Sequence, residues 1–99
     1  MYDLECRFDS RQSFYGKAKV DEYNLIENNN NVVVKELYSY GTLVARILFY
    51  KKENINVYKY LGKYSQTTTR HQKEFFKQQG LNDKEIEELF KNGTLEKRL

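Results

Sequence analysis

The chain has 99 residues, of which 39% are hydrophobic, 15% aromatic and 31% charged, and its formal net charge is +3. This length suits one domain, and the aromatic share excludes a chain that is disordered throughout. No apolar run is long enough to span a membrane, the first residues lack a signal-peptide pattern, and the one cysteine, Cys6, cannot form an internal disulfide. We therefore expect a protein of a reducing cytoplasm and not a secreted disulfide scaffold.

Strand patterns fill residues 13–62, after a segment at 1–12 that is predicted to form a loose arm or an edge strand. Apolar alternation starts at Phe14, and the asparagines at 28–31 predict a hairpin loop because Asn tolerates left-handed backbone. Further strand patterns occupy residues 32–38, 42–51 and 55–61. Because every connection is short, the pattern predicts an antiparallel meander of about four strands.

Two helices are predicted over residues 66–92, followed by a tail at 93–99 that forms a short turn or frays. The second helix has the sharper boundaries, because Asn82 and Glu85 match a capping box and Gly93 suits the end of a helix. Two amphipathic helices can cover one apolar face of the preceding sheet. The sequence therefore predicts an α+β fold in a single domain, residues 1–99, with both helices packed on one face.

The start of the first helix is less sharply defined. Thr69 followed by Gln72 matches a capping box, while Ser65, Thr67 and Thr68 are alternative caps.

The predicted core takes one face of each strand and the apolar stripe of each helix. Its members are Phe14, Ala18, Val20, Val33, Leu37, Leu43, Ala45, Ile47, Phe49, Ile55, Val57, Leu61, Phe75, Phe76, Ile86, Leu89 and Phe90. In the last strand this assignment turns Ile55 and Val57 inward and Tyr58 and Tyr60 outward.

Catalytic chemistry has little support in this sequence, and we expect no enzyme, cofactor or metal site. One His and one Cys are too few for a structural zinc site, and no Gly-rich phosphate loop is present. Cys6 and His71 could meet as nucleophile and base, although nothing near either residue supports such a pair. This enzyme hypothesis ranks below two binding hypotheses.

Two surfaces are candidates for binding. Residues 51–80 hold seven basic and two acidic side chains, and their densest part is a basic and aromatic corner where the last strand meets the first helix. Tyr rings there could stack on bases, and a helix start with hydroxyls could hold phosphate. The corner consists of Tyr58, Tyr60, Lys63, Tyr64, Thr67, Thr68, Arg70, His71 and Lys73. Read structurally, the same residue types cap a helix and coat a sheet.

The second candidate surface is the acidic face of the second helix. Residues 82–93 hold four acids against two lysines, and the acids are Asp83, Glu85, Glu87 and Glu88. Such a face could occupy a basic nucleic-acid channel, and its ordinary interpretation is a solvated helix surface.

Three segments resemble a family of small proteins from phages, plasmids and integrated elements of Firmicutes and related gut bacteria. The segments are Ser13-Phe14-Tyr15-Gly16-Lys17-Ala18, Tyr38-Ser39-Tyr40-Gly41-Thr42-Leu43-Val44-Ala45 and Gly62-Lys63-Tyr64-Ser65-Gln66-Thr67-Thr68-Thr69-Arg70-His71. The resemblance covers about residues 13–81, and the third segment is its most specific part. Relatives often carry Trp shortly before this segment, where the present chain has Tyr58 and Tyr60.

The resemblance implies an accessory protein of a mobile genetic element. Such proteins often block host defence, including RNA-guided nucleases, by binding without catalysis. We therefore expect a non-enzymatic, anti-CRISPR-like protein that binds a host protein or ribonucleoprotein complex, with the acidic helix as a possible nucleic-acid mimic. The alternative is a nucleic-acid-binding accessory or regulatory module that uses the basic corner.

Overall fold

A computed structural model describes residues 1–99 as six strands and two helices in the order βββββααβ. The strands are β1 (Tyr2–Asp3), β2 (Ala18–Glu27), β3 (Asn30–Ser39), β4 (Thr42–Tyr50), β5 (Ile55–Tyr60) and β6 (Thr94–Arg98). The helices are α1 (Gln66–Gln78) and α2 (Asp83–Asn92). All six strands form one antiparallel sheet in sequence order, so the α+β class and the meander are confirmed.

The sheet has two more strands than expected, and both lie at its edges. β1 pairs only Tyr2 and Asp3 with β2. β6 occupies the segment that was predicted to be a turn or a frayed tail, and it pairs along β5, with Leu95 opposite Tyr58. The prediction failed because β6 has one apolar residue among charged and polar ones. Such a composition is typical of a strand that protects a sheet edge.

Tight turns set the register of the central strands. Asn28 and Asn29, with φ of 50° and 63°, join β2 to β3, as the asparagine run predicts. Tyr40 and Gly41, at 51° and 81°, join β3 to β4. One residue of β4, Val44, forms a bulge in the pairing with β3. On the β5 side its carbonyl accepts a hydrogen bond from the backbone N–H of Leu61 at 3.1 Å, which continues the pairing of β4 with β5.

Side-chain caps define both helices. Ser65 is the cap of α1, since its Oγ accepts a hydrogen bond from the backbone N–H of Thr68 at 3.1 Å, and the Thr69 start was wrong. The capping box of α2 is confirmed. The Asn82 side chain accepts from the Glu85 N–H at 2.8 Å, and the Glu85 carboxylate accepts from the Asn82 N–H at 2.9 Å.

Both helices pack on one face of the sheet, as predicted, and the main core lies between the two layers. Its buried members are Leu4, Phe14, Ala18, Val20, Leu37, Val44, Ala45, Ile47, Tyr58, Phe75, Phe76, Leu81, Ile86 and Leu89. The bulge turns two neighbouring residues, Val44 and Ala45, into this core, which a regular strand could not do.

The predicted orientation of β5 was wrong. Tyr58 points into the core, and its hydroxyl donates a hydrogen bond to the Gln79 carbonyl at 3.3 Å. Tyr60 stacks on Phe90 with ring centroids 4.2 Å apart. Because strand side chains alternate, Val57 then faces the opposite side of the sheet. Large side chains occupy both faces of β5, so alternation alone could not decide which one faces the helices.

Other members of the predicted core are also displaced. Ile55, like Val57, points away from the helices and is half-buried. The remaining half-buried members of the predicted core are Val33, Leu43, Phe49, Leu61 and Phe90.

Truncation of Tyr58 tests this orientation. We expect Tyr58→Ala to lower the free energy of unfolding by about 3–5 kcal/mol, the usual cost of removing a buried aromatic side chain. Tyr64→Ala is the matched control, because this ring is 55% exposed and its loss should change stability by less than about 0.5 kcal/mol. Denaturant unfolding measures both values. Equal losses in the two variants would show that Tyr58 does not lie in the core.

Candidate binding surface

The acids at the start of α2 already have partners within the chain. The Asp83 carboxylate lies 3.2 Å from the Lys77 ammonium, and the Glu85 carboxylate lies 3.1 Å from that of Lys97. The backbone N–H of Asn82 and the Lys97 side chain lower the pKa of Glu85. Glu85 therefore caps the start of α2 and links α2 to β6 through its ion pair with Lys97.

Glu87 and Glu88 remain exposed and form no ion pair. Lys84 precedes Glu88 by four residues and Lys91 follows Glu87 by four, which places opposite charges on the same helix surface. The acidic helix thus presents two free acids between two lysines, a much weaker negative surface than the composition suggests.

The basic and aromatic corner does not form one surface. Tyr58, Thr68 and His71 are buried, Tyr60 is half-buried against Phe90, and Thr67 and Arg70 are partly covered. The corner residues that remain fully exposed are Lys63, Tyr64 and Lys73.

His71 belongs to a buried polar cluster between α1 and the end of β3. The Ser39 hydroxyl lies 2.8 Å from His71 Nδ1 and 2.8 Å from the Thr68 hydroxyl. The Phe14 ring meets the imidazole edge-on, with centroids 4.5 Å apart. Burial lowers the pKa of His71, so the ring is neutral at neutral pH. Ser39 and His71 are 2% and 1% exposed, so a substrate cannot reach this hydroxyl–imidazole pair. The pair instead links α1 to the sheet.

The thiol of Cys6 lies outside this cluster and forms no hydrogen bond to His71. Burial and the nearby carboxylates of Asp9 and Glu74 raise its pKa. A raised pKa reduces the thiolate fraction, and the thiolate is the form that acts as a nucleophile.

The N-terminal segment, predicted as a loose arm or edge strand, supplies β1 and is then fixed to α1. The buried Glu74 carboxylate accepts hydrogen bonds from the backbone N–H groups of Phe8 and Asp9, both at 2.8 Å. The Arg70 guanidinium donates two hydrogen bonds, 3.0 and 2.7 Å long, to the Asp9 carboxylate. These bonds lower the pKa of Asp9 to about 2. We call residues 5–9 the docked arm.

The open face, which is the side of the sheet away from the helices, carries eight apolar side chains with no helix above them. Its apolar side chains are Tyr23, Leu25, Val32, Val34, Leu48, Tyr50, Ile55 and Val57. Val32 and Val34 are 0% and 1% exposed although no helix lies above them. Side chains on the flanking strands β2 and β4 shield them, so both valines lie below the accessible surface of this face.

A groove of about 610 Å³ lies on this face over β4 and β5. It is lined by Arg46, Leu48, Tyr50, Glu53, Ile55, Val57, Lys59, Leu61 and Glu96. Beside it, Arg46 pairs with the buried Glu36 at 2.6 Å, and the Tyr38 hydroxyl lies 3.4 Å from the other oxygen of that carboxylate. Tyr, Arg and aliphatic side chains in one patch are typical of protein contact surfaces.

The sequence contains a signal for this face, because the second face of β4 is partly apolar, a pattern that favours a central strand. In β4 the residues that alternate with the core set are Arg46, Leu48 and Tyr50, a mixed but largely apolar row. Such a row suits a strand that is covered on both sides, whereas the two helices cover only one. The excess apolar side chains are therefore left without intramolecular cover.

The fold and this surface define a small α+β protein with one packed and one uncovered sheet face. The chain belongs to a family of unknown function (DUF8033), whose model matches residues 2–92. Searches of curated proteins and of solved structures gave no match. Neither helix has the length and apolar character needed to cross a bilayer. No three side chains among His, Cys, Asp and Glu converge as a metal site.

Burial of a neutral imidazole predicts a pH-dependent stability. Since burial lowers the pKa of His71 from 6.5, the unfolded chain binds a proton more readily, and stability should fall as the pH drops below about 6.5. His71→Asn keeps a polar group beside Ser39 and cannot titrate in this range. We expect its free energy of unfolding to depend less on pH than that of the wild type between about pH 7.5 and 5.5. Parallel pH profiles would contradict a neutral, buried His71.

Hydrogen exchange can test the docked arm. We expect Glu74→Ala to speed amide exchange at Phe8 and Asp9 at least about tenfold, because both N–H groups lose their acceptor. Glu88→Ala, which removes an exposed carboxylate, is the control and should leave these rates unchanged. Unchanged rates in both variants would show that Glu74 does not hold the arm.

Proposed function

We propose that this protein acts by binding another protein, without catalysis of its own, and that the open face of the sheet is its contact surface. One observation carries this proposal: the sheet face that no helix covers presents apolar side chains, namely the exposed Tyr23 and Leu25 and the half-buried Leu48, Tyr50, Ile55 and Val57. Exposed apolar patches of this kind mark interaction sites in soluble proteins.

The chemistry of the face also favours a protein partner. Tyr50 and Leu48 offer apolar anchors, and Arg46 is held in place by the buried Glu36. A guanidinium that is already oriented loses little side-chain entropy when a partner binds. Phosphate backbones would meet few free cations here, so nucleic acid is a poorer fit.

For the biological role we propose an accessory protein of a phage or other mobile element that inhibits a host defence nuclease in the bacterial cytoplasm. The support for this role is the sequence resemblance at residues 13–81. Glu87 and Glu88 provide a second, smaller contact, because their negative charge complements the positive charge of a basic nucleic-acid channel. The nucleic-acid-binding alternative has less support, because only Lys63, Tyr64 and Lys73 of the proposed basic corner are fully exposed.

A charge placed on the open face tests the proposal. Leu48→Lys should reduce protection of phage or plasmid DNA at least about tenfold in cells that carry a susceptible RNA-guided nuclease, because it places an uncompensated charge in an apolar contact. Ile26→Lys is the matched control: this apolar residue is 79% exposed near the β2–β3 turn and points to the helix side of the sheet. It should retain full protection.

Thermal unfolding must first show that both variants fold. Full protection by folded Leu48→Lys would exclude the open face as the contact surface. Absence of protection by the wild type against a panel of such nucleases would exclude the proposed role.

A further inference from the structure

The strand register arranges the open face in three rows across β2, β3, β4 and β5. The first row is Asp21, Glu36, Arg46 and Lys59; the second is Tyr23, Val34, Leu48 and Val57; the third is Leu25, Val32, Tyr50 and Ile55. Each row has four members. Two of them lie on β2 and β3 and two on β4 and β5, on either side of the midline between β3 and β4. This order determines what can pack against the face.

The first row is ordered by charge. Asp21 and Glu36 lie on one side of the midline, and Arg46 and Lys59 lie on the other. A rotation by 180° about an axis along that midline reverses the order of the row. A second copy placed by this rotation brings the partner's Lys59 opposite Asp21 and the partner's Arg46 opposite Glu36. Every acid then faces a base.

The other two rows are apolar. Their accessible members are Tyr23 and Leu25, which are 37% and 41% exposed, and the half-buried Leu48, Tyr50, Ile55 and Val57. The same rotation places the partner's Val57 opposite Tyr23 and the partner's Ile55 opposite Leu25. The apolar side chains of the two copies then cover one another, as they do where two sheets pack face to face.

We propose that a second copy of this chain covers the open face, so that two sheets pack face to face about a two-fold axis that runs along β3 and β4. This inference rests on the proposed function, because both make the open face the contact surface. It identifies the first partner of that surface as the protein itself. The helices of both copies lie on the outside, and Glu87 and Glu88 of each copy remain free to meet a further protein.

Charge exchange between Asp21 and Lys59 tests the geometry. Within one chain these residues are three strand spacings apart, about 14 Å, which exceeds the screening length at about 0.15 M salt. Any compensation between them must therefore act across a dimer. We expect Asp21→Lys and Lys59→Asp each to weaken dimerisation at least about tenfold in sedimentation equilibrium, because each places like charges opposite one another at two symmetric positions.

Two combinations should restore the dimer. The double variant Asp21→Lys with Lys59→Asp pairs opposite charges again, and an equimolar mixture of the two single variants should form a heterodimer. Glu87→Lys and Lys63→Asp make charge changes of the same size on exposed positions outside the face and should not affect association. Thermal unfolding confirms that every variant is folded.

Four outcomes distinguish this inference from the proposed function. Loss in each single variant and recovery in both combinations support the dimer. A wild-type monomer up to about 1 mM, or a dimer that neither single variant weakens, overturns it. A wild-type monomer whose DNA protection is lost in Leu48→Lys overturns the dimer and leaves the open face as the surface for a different protein. A restored dimer together with undiminished protection by Leu48→Lys supports the dimer and overturns the proposed function.

Discussion

The attachment of α1 to the sheet is the interaction on which the rest of the structure depends. This helix buries four polar residues and two apolar ones, and it is fixed by hydrogen bonds as well as by Phe75 and Phe76. The Gln72 amide donates to the carbonyls of Val44 and Gly62 at 2.9 and 3.0 Å, and so joins the β4 bulge to the loop after β5. A buried donor without its acceptor costs about 1–3 kcal/mol, so these bonds allow one axial position of the helix and disfavour others.

The position of α1 in turn decides which face of the sheet is packed. α1 and α2 both follow β5 and return to the same side, which leaves the other side with only its own side chains for cover. The two edges of the sheet differ. β6 is rich in charge, which disfavours pairing with a further strand, whereas β1 pairs with only two of the ten residues of β2 and leaves the rest of that edge open.

The features that the sequence predicted well depend on neighbours in the chain. Asn82, Glu85 and Gly93 define α2 through contacts within a few residues, and Asn28 adopts the left-handed backbone of the turn. The number of strands, the orientation of β5 and the docked arm depend instead on residues far apart in sequence. No local pattern shows that the carboxylate of Glu74 will meet the amides of a segment 65 and 66 positions away.

The docked arm also has a consequence for the order in which the protein opens and closes. The β2–β3 and β3–β4 hairpins are joined by two-residue turns and can form from contacts close in sequence. The bond between Arg70 and Asp9 closes a loop of 61 positions and requires α1 to be already in place. Docking of the arm therefore follows docking of α1, and detachment of the arm leaves the buried Glu74 carboxylate without its two backbone donors.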